Sequence, residues 1–140
     1  MTGAQVTRSF HGIAQESAIT SIHEMLDGLW SDVPEISDID QMTFTTAIIE
    51  SAANVVQHAQ PQDTKSVQIG VDILVQPDVL TARISAFHAT APPTDLTAGT
   101  PDDDEESGRG LALIEALVSA MTFERQQGTS TWVLTRHRGK

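Results

Sequence analysis

Residues 67–87 read VQIGVDILV-QPD-VLTARISAF. Two runs, Val67 to Val75 and Val79 to Phe87, alternate apolar and polar residues, and Gln76-Pro77-Asp78 stands between them. Alternation at period two, rich in Val and Ile and broken by a short Pro-Asp joint, predicts a β-hairpin with one face buried. Upstream, Phe44, Ile48, Ala52, Val55 and Val56 recur at helical steps, so residues 40–58 are expected as an amphipathic helix, capped by Ser37 or Asp38 and stopped by Pro61. Before it, Ile19, Ile22, Leu26, Leu29 and Trp30 mark another helix over 16–30, ended by Asp32 and Pro34. Residues 4–11 alternate loosely and fit a first strand.

Downstream, residues 89–107 hold Pro92, Pro93, Gly99, Pro101 and the acid run Asp102–Glu106 without periodicity. This is a long loop for a compact domain, of the kind that serves as a lid or binding loop. Gly108 to Val118 then opens a third helix whose apolar face uses Leu111, Ile114 or Leu113, Leu117 and Val118. Two strands close the chain, Met121–Arg125 and Thr129–Arg136, joined through Gln126-Gln127-Gly128. Strand, helix, helix, hairpin, loop, helix, hairpin is the order of an α+β fold with helices on one face of a mixed, mostly antiparallel sheet. The 140 residues are read as a single domain, 1–140.

Eight Lys and Arg against 19 Asp and Glu give a formal charge of −11. Such a chain is repelled by phosphate backbones, so direct nucleic-acid binding is not expected. Four of the eight cations, Arg125, Arg136, Arg138 and Lys140, lie beyond residue 124; with the acid run they form either solvated surface or a charge pattern that steers a protein partner. There is no cysteine, which excludes disulfides, thiolate metal sites and a Cys nucleophile. No apolar run is long enough to span a bilayer and the first residues lack signal-peptide blocks, so a cytoplasmic location without membrane contact is expected.

Three constellations carry chemistry. Glu50, Asn54 and His58 are spaced by four and share one helix face beside Ala47, Ala52 and Ala53. A ligand or metal would satisfy such a row, and an exposed polar stripe fits the same spacing. Glu106-Ser-Gly108-Arg109-Gly110-Leu111 stands at a helix start, where close backbone approach, free N–H groups and a guanidinium suit phosphate; a plain flexible junction is the alternative. Gly128-Thr129 sits between the last strands and also reads as a simple turn. His11, His23, His88 and His137 show no metal-ligand spacing, and no nucleophile elbow, P-loop or Gly-x-Gly-x-x-Gly pattern occurs.

Together, Glu-x-x-x-Asn-x-x-x-His-Ala, the hairpin and long loop, Ser-Gly-Arg-Gly-Leu-Ala-Leu-Ile and the closing Gly-Thr resemble the GHKL ATPase superfamily, and within it the anti-sigma-factor serine kinases of the RsbW type. The resemblance covers about residues 4–137. It implies the two-layer α/β sandwich of the Bergerat, or histidine-kinase-like ATPase, fold. It implies ATP and Mg2+ as cofactors, with Glu50 as catalytic base, Asn54 holding Mg2+, and His58 in the same box at the site. It further implies that Gly108, Arg109, Gly110 and Leu111 close over the phosphates under the 89–107 lid, and that Thr129 lies near the adenine. Phosphorylation of a serine on an antagonist, sequestration of a sigma factor, and a homodimer are implied as well. One motif departs. The family's Asp-x-Gly, whose Asp bonds the adenine amino group, is replaced within Ser85-Ala-Phe-His-Ala89, with Ala86 or His88 at the Asp position. Two outcomes follow: a kinase with an altered adenine contact, or a nucleotide-independent pseudokinase that only binds proteins.

Overall fold

The computed structural model describes residues 5–90 and 113–138. Most of the 89–107 loop, the acid run and Gly108, Arg109, Gly110 and Leu111 lie outside the described residues. The elements are β1 (Val6–Ile13), α1 (Glu16–Asp32), α2 (Asp38–His58), β2 (Gln68–Val75), β3 (Val79–Phe87), β4 (Ala120–Gln126) and β5 (Thr129–His137), with residues 113–117 also helical.

The five strands form one sheet in the order β1-β2-β3-β5-β4. Every pairing among them is antiparallel, which bears out the antiparallel part of the expected sheet. Alternation sends Ile69, Val71, Ile73 and Val75 of β2, and Leu80, Ala82, Ile84 and Ala86 of β3, under the helices, all of them buried. The opposite face is polar: Ser9 bonds Asp72 at 2.6 Å, Ser85 bonds Thr131 at 2.9 Å, and exposed Arg83 meets Glu124. Gly70 on that face leaves room for the Phe87 ring, which stacks on His11 at 5.1 Å; a Cβ at Gly70 would come within 3.0 Å of the ring.

The helices form the second layer. α1 buries Ala18, Ile22, Leu26 and Leu29 and lies along β1. α2 buries Phe44, Ala47, Ile48, Ala52 and Val55 over β2, β3 and β5. Ser37 is the cap, its Oγ accepting from Asp40 N at 3.2 Å, and Asp38 and Asp40 place negative charge at the positive end of the helix dipole. Val56 of the expected apolar face is only half-buried. Trp30 Nε1 donates to Thr45 Oγ1 at 2.8 Å and pins α1 to α2. In the 113–117 stretch Ile114 is fully buried and Leu113 is exposed, which settles which of the two faces the core.

Arg125, Arg136 and Arg138 near the chain end are not a solvated tail, and Lys140 lies outside the described residues. Arg136 Nε donates to Asp40 Oδ1 at 2.8 Å, with Asp40 only 1% exposed, and its Nη1 donates to the Leu117 carbonyl. Arg125 and Arg138 likewise bond Ser130, Ala89 O and Gln76 O. These three hold the fold together; they do not form a steering patch.

Candidate functional site

α1 attaches to α2 on the flank that carries Thr45. At about 100° per residue, the steps from Thr45 to Asn54 turn the helix half round, so Asn54 lies on the flank away from α1. α1 lies along β1 and α2 reaches across to β5, so that flank lies toward the β5 side of the sheet. Its side chains are incompletely bonded: Asn54 Nδ2 and His58 Nε2 are both buried and have no hydrogen-bond partner. On the sheet below, Trp132 Nε1 is a third buried atom without a partner. Buried polar atoms left unbonded cost about 1–3 kcal/mol each, so the two N–H donors of Asn54 and Trp132 and the imidazole nitrogen of His58 mark groups that a polar ligand would satisfy.

Glu50 stands apart from this pair. It is half-buried at the edge of an open groove of ≈ 580 Å³ between α1 and α2, lined also by His23, Asp27, Trp30, Met42 and Ile49. The row Glu50–Asn54–His58 therefore winds from an outer rim inward, with only its last two members carrying buried, unbonded atoms.

The hairpin ends build one corner of the crevice. The segment after α2 joins the end of β3 through a Pro61–Ala89 bridge, with Gln62 N donating to His88 O at 2.9 Å and Thr90 N to Gln60 O at 2.9 Å. Ala89 N donates in turn to Gly128 O at 3.1 Å. Gln127 and Gly128 both have positive φ, 47° and 83°, the combination a two-residue type I′ hairpin needs. A Cβ on Gly128 would lie 2.3 Å from Gln62 Oε1, so glycine also serves the close approach of the 60–62 segment. His88 is left-handed as well, at φ 61°. It thus occupies a backbone conformation that glycine adopts freely, while Ala86, two residues before, faces the helices at 1% exposure.

Register decides which residues of the last hairpin face the crevice. Ser130 pairs with Ala86 and Arg125 with Ser130, so Ala86, Ser130 and Arg125 form one row on the helix side. Thr129 pairs with Phe87 and points to the other face, where it lines a shallow polar hollow with Arg83, Glu124 and Thr131. The sequence motif singled out Thr129. Its neighbour Ser130 and the more distant Arg125 are the residues on the crevice side, and the alternation running back from Trp132 is the signal that reveals them. Arg125 spans the row, Nη1 donating to Ser130 Oγ at 2.7 Å and Nη2 to Ala89 O at 2.9 Å.

A nucleotide and its metal can be tested against these groups. The unbonded Asn54 and His58 atoms fit phosphate or metal-bound oxygens, and an amide oxygen is a suitable hard ligand for Mg2+. Among the described residues no group of three or more His, Asp or Glu is placed to hold a metal, so Mg2+ would need Asn54 together with phosphate oxygens and water. At the Ala86 row the usual carboxylate is missing. Among the described residues, no helix is long and apolar enough to cross a membrane.

Comparison with known proteins agrees with this fold. A search of curated proteins finds no match. Among solved structures, the chain is similar to the crystal structure of the RsbU and RsbW domains of Rv1364c from Mycobacterium tuberculosis, with a TM-score of 0.65 and 21% identity. The match covers 95% of this chain and 33% of that one, so the chain spans about a third of its length, and at this identity the likeness speaks for the fold. The family model of the histidine kinase-like ATPase domain matches residues 29–135, which takes in the end of α1, all of α2 with the Asn54–His58 flank, β2, β3, β4 and most of β5. The chain belongs to the histidine kinase-like ATPase domain family.

Proposed function

We propose that this domain binds a nucleoside triphosphate with Mg2+ in the crevice between α2 and the β3–β5–β4 side of the sheet, and that it acts as an anti-sigma-factor protein kinase. The observation that carries the reading is the pair of buried, unbonded side-chain atoms of Asn54 and His58 on the flank of α2 that turns from α1. In this reading Asn54 holds the metal and His58 lies beside the phosphates. Gly108, Arg109, Gly110 and Leu111 enclose the phosphates. Ala86, His88 and the Ser130–Arg125 row form the base end. When bound, Mg2+ neutralises phosphate charge. In this reading Glu50, one turn before Asn54 on the outer rim, takes the proton of an incoming hydroxyl. The acceptor is a serine of an antagonist protein, and a sigma factor is the second partner; a homodimer is the assembly expected.

A specific observation favours a second reading, a protein-binding module without nucleotide: the methyl group of Ala86 stands where a carboxylate is expected. Calorimetric titration with ATP and with GTP, each with and without Mg2+, separates the two. Magnesium-dependent saturation by either nucleotide, lost in Asn54→Ala, supports the crevice reading. No heat from a folded protein at millimolar nucleotide refutes it and leaves the binding module.

A further inference from the structure

We propose that the base end of this crevice selects a 6-oxopurine nucleotide over a 6-aminopurine one; the inference rests on the nucleotide-binding reading above. Selectivity follows from the donors and acceptors on the helix-facing side of β3, β5 and β4. The helix-facing positions are Leu80, Ala82, Ile84 and Ala86 on β3, Ser130, Trp132, Leu134 and Arg136 on β5, and Met121, Phe123 and Arg125 on β4. None is Asp, Glu, Asn or Gln, and the one hydroxyl among them, Ser130, already accepts from Arg125. At the Ala86 row the charged group is a guanidinium. Arg125 is half-buried, reaches from β4 across Ser130 to the Ala89 carbonyl, and commits only Nη1 and Nη2, once each, to those partners.

Five N–H groups on one guanidinium leave three for a ligand. An arginine reads the O6 and N7 acceptors of a 6-oxopurine with two parallel bonds, whereas the N6 amine of adenine presents hydrogens to a group that has only hydrogens to give. Ala86 and Ala89, each 1% exposed, supply no side-chain acceptor to offset this. Arg125 is itself fixed by Ser130, which is 1% exposed, so its geometry is set before a ligand arrives.

The test compares ITP with ATP on the full chain, both as Mg2+ salts, by calorimetry and by the fluorescence of Trp132 on the adjoining row. ITP is the probe because it carries an oxygen at C6 where ATP carries an amine. ITP binding about tenfold tighter than ATP is the expected result, the scale of one hydrogen bond to a charged group. Arg125→Met, which keeps the stem and removes the donors, brings the two affinities together; Ala86→Asp shifts the preference toward ATP. ATP binding as tightly as ITP or more tightly to the unaltered protein overturns the inference and leaves the nucleotide site standing. Failure of both to bind the folded protein overturns both. Because the decisive comparison needs no variant, misfolding of Arg125→Met or Ala86→Asp does not spoil it.

Discussion

Replacing Arg136 with methionine removes the cation that faces the most buried carboxylate of the described chain. Asp40 is 1% exposed, and Arg136 Nε lies 2.8 Å from its Oδ1. Breaking such a pair by deleting one partner costs about 3–5 kcal/mol, because the remaining charge stays buried. Arg136 is 22% exposed, so water reaches the vacated space, and Asp40 keeps another interaction, so no more than the lower end, about 3 kcal/mol, applies. The lost bond to the Leu117 carbonyl adds about 1 kcal/mol. With a urea m-value of about 1.5 kcal/mol/M, the midpoint falls by about 2–3 M. The assay is urea unfolding followed by the fluorescence of Trp30 and Trp132, with Asp40→Asn and the double variant completing a cycle. The double variant should lose less than the sum of the singles by about 2 kcal/mol or more, since the buried charge is gone. An Arg136→Met protein within about 1 kcal/mol of wild type would refute the claim that this pair fastens α2 to β5.

Two further substitutions test how local geometry enters stability. His88→Val should cost about 1–2 kcal/mol by thermal unfolding, because a β-branched residue is strained at φ 61°, while His88→Gly should lie close to wild type; equal losses in both would mean that the imidazole and not the backbone matters there. Arg83→Ala should change stability by less than about 0.5 kcal/mol, since Arg83 and Glu124 are 3.5 Å apart and roughly half-exposed, and a loss well above that would show the open face of the sheet to be covered in solution.

The elements were legible because each reports its own burial. Period-two alternation over 67–87 and four-residue steps over 40–58 follow from one face being apolar, and both are found nearly to the residue. What the chain does not report locally is which faces meet. Asp40 and Arg136 are 96 residues apart, and nothing near either marks the other. Read alone, Asp40 is a first-turn acid and Arg136 a charge near the chain end. Strand order is needed to bring them together, because β5 enters between β3 and β4 and so comes to lie under α2. The same applies at the site. Beside its glycine in the sequence, Thr129 stands out, while register turns its side chain to the face away from the helices and turns Ser130 toward them.

The helix-facing side of the sheet is where sequence and function part. On β2 and β3 that side is wholly apolar, as packing under two helices requires. On β5 and β4 it carries Ser130, Trp132 with an unbonded Nε1, Arg125 and Arg136. Arg136 is fully explained by Asp40 and the Leu117 carbonyl, and its role is structural. Arg125 is half explained by Ser130 and Ala89. Trp132 Nε1, Asn54 Nδ2 and His58 Nε2 are not explained by any partner. For a domain whose total stability is about 5–15 kcal/mol, three such unbonded polar atoms are a large cost. A polar ligand held between α2 and the β5 side of the sheet, as proposed above, would give all three a partner, with Val55 and Leu134, 2% and 0% exposed, left in the core.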